Sequence, residues 1–467
     1  MRIEHDLLGE RELSDECYYG IHTLRAKENF DLSGRSIHPK LVEALVTVKK
    51  ACAITNCEIG RLDKKIGEAI IKACDEIIEG KYRDQFVVDA MQGGAGTSAN
   101  MNANEVIANR AIELLGGKRG DYTIVHPLDH VNMSQSTNDV FPTAVRIAAI
   151  KLLKPVSELF AKLQNALQEK EEEFVDVLKV GRTQLQDAVP VMLGQEFGAW
   201  AQAVSRDRWR LYKAEERLRQ VNLGGTAAGT GINAPKKYIF MVVDKLRELT
   251  GIGLARAEYM MDPTQNADVF VEVSSLLKTS AVNLSKIASD LRLLSSGPRA
   301  GFGEINLPAV QAGSSIMPGK VNPVIPEAIN QIAFRIIGND TVIAIAAQSG
   351  QLELNPFLPV IADSLFETLD LLRKGLEIFT DNCIKGIKAD EKRCRELVEN
   401  SFALCTALIP HIGYDKASEV SKKCLKSGRN LREVVLEEGI LDEESLNSIL
   451  NPIELTRPGV PGKKGGN

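Results

Sequence analysis

Two serines, a lysine and an asparagine stand close together in Gly313-Ser314-Ser315-Ile316-Met317-Pro318-Gly319-Lys320-Val321-Asn322-Pro323. A serine hydroxyl is a poor base unless its alkoxide is stabilised. A nearby ammonium and several backbone N–H groups favour the charged form. Gly313 and Gly319 bracket Ser314 and Ser315 with the flexibility to build such a cradle. Lys320 suits the counter-charge of a substrate carboxylate. Plainer readings stand beside these. Asn322 before Pro323 also reads as the N-cap of a helix from 324, and Lys320 as a solvated lysine. The wider stretch 297–323 has five glycines and no periodicity but keeps apolar residues, so a mobile lid is expected there.

Three further polar loops each lead into a helical pattern. Gln92-Gly93-Gly94-Ala95-Gly96-Thr97-Ser98 reads either as a glycine turn capped by Thr97 or Ser98, or as an anion site at a helix N-terminus. No GK[ST] follows, which excludes a P-loop. In His126 to Asp139, hydroxyls and amides fill 134–138 almost without break. Thr137, Asn138 or Asp139 would serve as a cap, but a cap needs one residue, and the surplus points to a ligand. Gly181-Arg182-Thr183-Gln184-Leu185-Gln186-Asp187 reads as a polar loop with an Asp cap. Three such loops suit a small anion better than a cation, metal or nucleotide. A dicarboxylate would use two of them and one further positive charge.

The elements that must hold these loops are helical. Apolar residues recur at three- and four-residue steps through 139–173, 190–221, 263–295, 324–349 and 358–385. Five helices of that length argue for a long bundle rather than an α/β sheet. Pro155 is expected to kink the first of them. In 263–295, Ser274, Ser275, Ser280 and Asn283 break the apolar surface, as in a helix buried on several sides in an oligomer or one with a solvated face. Shorter helices are expected over 41–80, 99–115, 391–407, 415–427 and 430–449, and a disordered tail over 458–466.

Composition bounds the rest. The chain has 467 residues, 44% apolar and 25% charged, with net charge −5 and no Lys/Arg block, so no nucleic-acid partner is expected. No charge-free stretch is long enough to span a bilayer, and Met1 to Asp6 carries no apolar signal core, so a cytoplasmic protein is expected. None of the eight cysteines forms a CxxC pair, which favours reduced structural thiols. The six histidines show no HExxH or similar spacing, so no metal site is expected.

With the four segments placed, nearly the whole chain resembles the fumarase/aspartase superfamily. GSSIMPGKVNP is that superfamily's signature, and the three loops occur in its order. QGGAGTS (92–98), DHVN (129–132), Gln184 within GRTQLQDAVP, and Val324-Ile325-Pro326-Glu327 are more similar to its aspartase branch than to its fumarases. Leu128 and Met133 depart from the usual Asn and Lys, which bears on substrate tuning, and Gln184 is not decisive because some aspartases carry His there.

The resemblance implies an all-α fold whose central five-helix bundle assembles into a twenty-helix homotetramer core. Two smaller, mainly helical domains would flank it, giving divisions at 1–137, 138–392 and 393–467. Active sites would be shared between subunits. The implied reaction is deamination of L-aspartate to fumarate, with Ser314 as base through an enediolate. Thr97, Ser136, Thr137 and Ser315 would bind the β-carboxylate. Thr183, Lys320 and Asn322 would bind the α-carboxylate, and Asn138, with Gln184, the amino group. No cofactor is implied. The alternatives are a class II fumarase, which handles a similar dicarboxylate, and a structural superfamily member without catalysis.

Overall fold

The computed structural model describes residues 1–463. A hairpin of β1 (Arg2–Asp6) and β2 (Gly9–Leu13) opens the chain. Helices α1 (Ile21–Asn29), α2 (Pro39–Glu58), α3 (Lys64–Ile78) and α4 (Thr97–Leu114) follow. The long α5 (Thr137–Glu173) leads to a second hairpin, β3 (Leu178–Thr183) and β4 (Gln186–Met192), and then α6 (Leu193–Arg217). Two-residue strands β5 (Gln220–Val221) and β6 (Ala255–Arg256) flank α7 (Lys236–Thr250). The turn α8 (Asp262–Gln265), α9 (Asp268–Leu294), β7 (Ile305–Asn306), α10 (Val324–Gln348), α11 (Leu358–Asn382) and β8 (Lys388–Ala389) come next. The chain closes with α12 (Glu391–Glu399), α13 (Cys405–Ile412), α14 (Tyr414–Ser427), α15 (Leu431–Glu437), α16 (Glu443–Ile449) and α17 (Pro452–Leu455). The fold is all-α, with four two-stranded sheets as accessories among the described residues.

Five helices of 25 to 37 residues match the long periodic segments. α5 continues through Pro142 and Pro155. α6 begins at Leu193 rather than 190, because Gln186 to Met192 pairs with β3. α7 has no counterpart among the expected helices. It buries Tyr238, Val242, Val243 and Leu246 on one face and ends at Gly251 in the left-handed region.

The chain divides into two compact units whose boundaries fall inside the long helices. The first comprises Met1–Glu158, Trp209–Ala281 and Ile332–Arg373. Its core includes Leu45, Val48, Cys52, Ile70, Ile107, Phe141, Ala144 and Tyr238, all essentially inaccessible. Each large apolar side chain so buried stabilises the unit by about 1.5–3 kcal/mol before entropy is charged. The second comprises Leu159–Arg208, Val282–Gln331 and the chain from Lys374 on. Its C-terminal helices gather Val398, Leu408, Val420, Val435, Leu446 and Ile449 into a small core.

The polar residues of α9 join helices. Ser274 Oγ donates to Asp340 Oδ1 at 2.8 Å in the first unit, and Asn283 Nδ2 to Asp207 Oδ1 at 3.0 Å in the second. Ser274 and Ser280 are fully buried, so they do not form a solvated face. The tail also differs from the expectation up to Lys463. His411 Nε2 lies 2.7 Å from the Pro461 carbonyl, and Gly462 packs on Ile449. Residues 464–466 of that expected tail lie outside the described residues.

Candidate active site

In the first unit, the glycine turn before α4 is shaped by Phe141. Gly96 sits at φ +92°, and a Cβ there would overlap the Phe141 ring, so glycine is required on two counts. The helix is not capped by Thr97 or Ser98. Gln92 reaches in from outside it, and its Oε1 accepts the Ala99 N–H at 3.0 Å. Thr97 is exposed, and its hydroxyl donates to the Gly94 carbonyl at 2.7 Å.

The start of α5 is a reciprocal capping box. Ser136 Oγ accepts the Asn138 N–H at 3.2 Å, and Asp139 Oδ1 accepts the Ser136 N–H at 2.9 Å. The cap is therefore Ser136, not residues 137–139. Asp139 Oδ2 also accepts the N–H groups of Gly224 and Thr226, at 3.0 and 2.9 Å. Burial pushes the Asp139 carboxyl up to about 6, while these N–H groups and Lys49 pull the other way.

This arrangement fixes which atoms of three consecutive residues remain to meet a ligand. Ser136 Oγ is occupied as an acceptor, which leaves its proton to donate. Thr137 Oγ1 likewise accepts from Asn100 Nδ2 at 3.0 Å. Asn138 is the reverse: its Nδ2 donates to the Ala227 carbonyl at 2.7 Å, so its Oδ1 is left as an acceptor. Two hydroxyl donors beside one carbonyl acceptor suit a carboxylate next to an ammonium.

The segment 222–231, Asn-Leu-Gly-Gly-Thr-Ala-Ala-Gly-Thr-Gly, anchors this group and was not singled out in the sequence. Asn222 Nδ2 donates to the Asn138 carbonyl at 3.0 Å. Its density of Gly and Thr without periodicity was the available signal.

In the second unit, Thr183 and Gln184 lie at the tip of the β3–β4 hairpin. Gln184 and Leu185 both have positive φ, 55° and 61°, unusual for residues with a Cβ. Asp187 caps no helix. It stands in β4 and accepts from Ser401 Oγ at 2.6 Å. The hairpin is held from behind by a buried ionic group: Arg182 donates to both oxygens of the fully buried Glu304 at 3.0 Å, with Lys179 Nζ 3.3 Å from Glu304.

Glu304 also shortens the expected lid. Its N–H and carbonyl bond to Leu294 and Asp390, and the next two residues form β7 against β8. Residues 297–306 are thus anchored, and the irregular part begins after Asn306. Within it, Ser314 Oγ accepts the N–H groups of Ile316 and Met317, at 3.2 and 2.9 Å. Asn322 Nδ2 closes the loop onto the Gly313 carbonyl at 3.2 Å. A Cβ on Gly313 would collide with the Lys320 carbonyl, so only glycine fits. Ser315 and Lys320 are exposed.

The ten expected residues therefore fall into two sets. Thr97, Ser136, Thr137 and Asn138 belong to the first unit, and Thr183, Gln184, Ser314, Ser315, Lys320 and Asn322 to the second.

A family described as "Lyase" matches residues 9–338, and one described as "Fumarase C C-terminus" matches 404–457. An aspartate ammonia-lyase from Bacillus sp is 51% identical over 99% of this chain and 99% of its own. A crystallised fumarate lyase:delta crystallin from Brucella melitensis, bound to cobalt, superposes with a TM-score of 0.95 at 50% identity, over 98% of this chain and all of that one. A class II fumarase from Schistosoma mansoni has the same fold, with a TM-score of 0.94 but 35% identity, over 98% of this chain and 99% of its own.

Proposed function

The chain belongs to the lyase family that its sequence matches over residues 9–338, and on that premise we propose that it converts L-aspartate to fumarate and ammonia. The observation that carries this reading is the polarity of residues 136–138: Ser136 and Thr137 hydroxyls accept from the protein and keep a proton to donate to a carboxylate, while Asn138 Nδ2 is engaged and its Oδ1 is left to accept from an ammonium. The greater identity to the Bacillus aspartate ammonia-lyase than to the Schistosoma fumarase supports the same choice.

The Cβ proton of aspartate is weakly acidic, because it lies beside a carboxylate. Its removal places a second negative charge on that group. Stabilising the resulting enediolate is the main catalytic demand. Ser136, Thr137, Thr97 and Ser315 meet it with hydroxyl donors, Thr97 once its proton is released from Gly94. Ser314 takes the proton, its alkoxide favoured by the Ile316 and Met317 N–H groups. Thr183, Lys320 and Asn322 hold the α-carboxylate. Asn138 and Gln184 orient the amino group, which departs already protonated, so no strong general acid is needed.

Copies of the chain assemble as a homotetramer with active sites shared between subunits. Its parts are an N-terminal domain to 137, a central one to 392 and a C-terminal one beyond. The protein works in the cytoplasm on a small dicarboxylate. The test is ultraviolet detection of fumarate released from aspartate, malate and argininosuccinate in parallel. Aspartate should be the productive substrate. Malate turnover without aspartate turnover would make the protein a hydratase instead.

A further inference from the structure

The core of the first unit contains a lysine that the mechanism above does not use. Lys49 lies on the face of α2 that otherwise carries Leu45, Val48 and Cys52, and it is fully buried. Its ammonium donates to Asn132 Oδ1 at 2.8 Å and to Gln135 Oε1 at 2.9 Å. Burial lowers it to about 8, while Cys52, Asp139 and Cys74 raise it, so it remains an ammonium at neutral pH.

An ammonium has donors only, so the group facing it must be an oxygen. That sets the Asn132 amide. Asn132 Oδ1 then accepts from Asn100 Nδ2 at 3.3 Å and Asn104 Nδ2 at 3.2 Å, which sets both of those amides as well. The second proton of Asn100 Nδ2 goes to Thr137 Oγ1. Thr137 is thereby held as an acceptor toward the protein interior, and its own proton is directed away. The amide oxygens of Asn100 and Asn104 are buried with no hydrogen-bond partner. Leaving such atoms unsatisfied is costly. Asn132 Nδ2 also donates to the Gln135 carbonyl at 3.3 Å and Asn104 Nδ2 to Met101 Sδ at 3.6 Å, so the ammonium and these acceptors set the same orientation together.

We propose that Lys49 is a positioning residue which, through Asn132 and Asn100, fixes the Thr137 hydroxyl as a hydrogen-bond donor to the substrate's β-carboxylate. The proposal rests on the functional reading above and adds residues to it. The donor is worth most when the carboxylate becomes an enediolate. Loss of the relay should therefore reduce kcat more than it weakens binding of an unreactive dicarboxylate.

The experiment compares kcat on aspartate, and Ki for succinate, in the wild-type tetramer and in Lys49→Met, Asn100→Asp and Thr137→Val. Lys49→Met should lower kcat by about 100-fold, with a much smaller rise in Ki. Asn100→Asp keeps the shape but turns an acceptor toward Thr137, so it should do the same. Combining either change with Thr137→Val should be little worse than Thr137→Val alone, because all three remove one donor. A merely structural lysine would give losses that multiply. Wild-type kcat in folded Lys49→Met overturns the relay. If that variant does not fold, wild-type kcat in Asn100→Asp overturns it equally. A wild-type protein inactive on aspartate defeats the functional reading, and the relay with it, whereas an active wild type with multiplicative variants defeats the relay alone.

Discussion

Ser314 gains its environment from two amide groups rather than from a neighbouring side-chain base. The Ile316 and Met317 N–H groups converge on its oxygen, and Ser315 receives no such pair. Ser314→Ala should keep its fold and assembly while losing about 10²–10⁴ in kcat, as for removal of a general base; full turnover in a folded variant would refute the assignment. Lys320→Ala should instead raise the apparent KM by roughly 10- to 100-fold, the worth of one charge-assisted hydrogen bond. Saturation curves for aspartate would expose an unchanged KM. At this scale the sequence was informative about residue type and less so about direction. GSSIMPGKVNP offers two adjacent serines of equal chemistry, and only the folded turn decides which oxygen the amides meet. Lys49 was not singled out in the helix expected within 41–80, and its partners lie 83 and 86 residues away.

The helix starts and hairpin tip decide whether those side chains stand in the right place. Asp139 closes the capping box of α5 and ties it to the loop at 224–226. Its folded carboxyl titrates near 6, above its ordinary 3.8, so the native chain binds more protons than the unfolded one between those values. Stability should therefore fall as pH rises from about 4 to about 6 through this group. Asp139→Asn, neutral at every pH, should lose that slope, as read from urea midpoints at pH 4.5 and 6.5. A second prediction concerns Leu185, 64% exposed at φ 61°. Leu185→Gly should raise stability by about 1 kcal/mol in thermal unfolding, since the left-handed cost for an L-residue exceeds the entropy cost of glycine. Caps were the least legible elements. Local candidates at Thr97, Ser98 and Asp187 looked sufficient, but Gln92 caps α4 from outside it, and Asp187 was already committed to a strand. The hairpin was hidden because Gln184-Leu185 lacks the Asn-Gly chemistry that marks tight turns.

For the whole molecule, the long helices were read correctly because period 3.6 sustained over 25 residues or more has few competing explanations. α7 was missed between two Gly-rich stretches. In the single chain, α6 exposes Trp209 and Tyr212, and α10 exposes Phe334 and Ile345, each more than half accessible. Such apolar surface is expected to be covered by further copies of the chain. If sites are shared, mixing two impaired variants, Ser314→Ala and Thr137→Val, after dissociation should restore full activity at about a quarter of the sites. No recovery on mixing would place each site within one subunit. The pinch between Gly313 and the Lys320 carbonyl has a consequence for the history of this scaffold. A ring closed at both ends admits a fixed number of residues. Insertions or deletions between 313 and 320 would open it and scatter the amides around Ser314. Descendants with other substrates should therefore differ there by substitution at 315–318 and keep the same loop length, so that changes of specificity accumulate as spelling while insertions collect elsewhere in the chain.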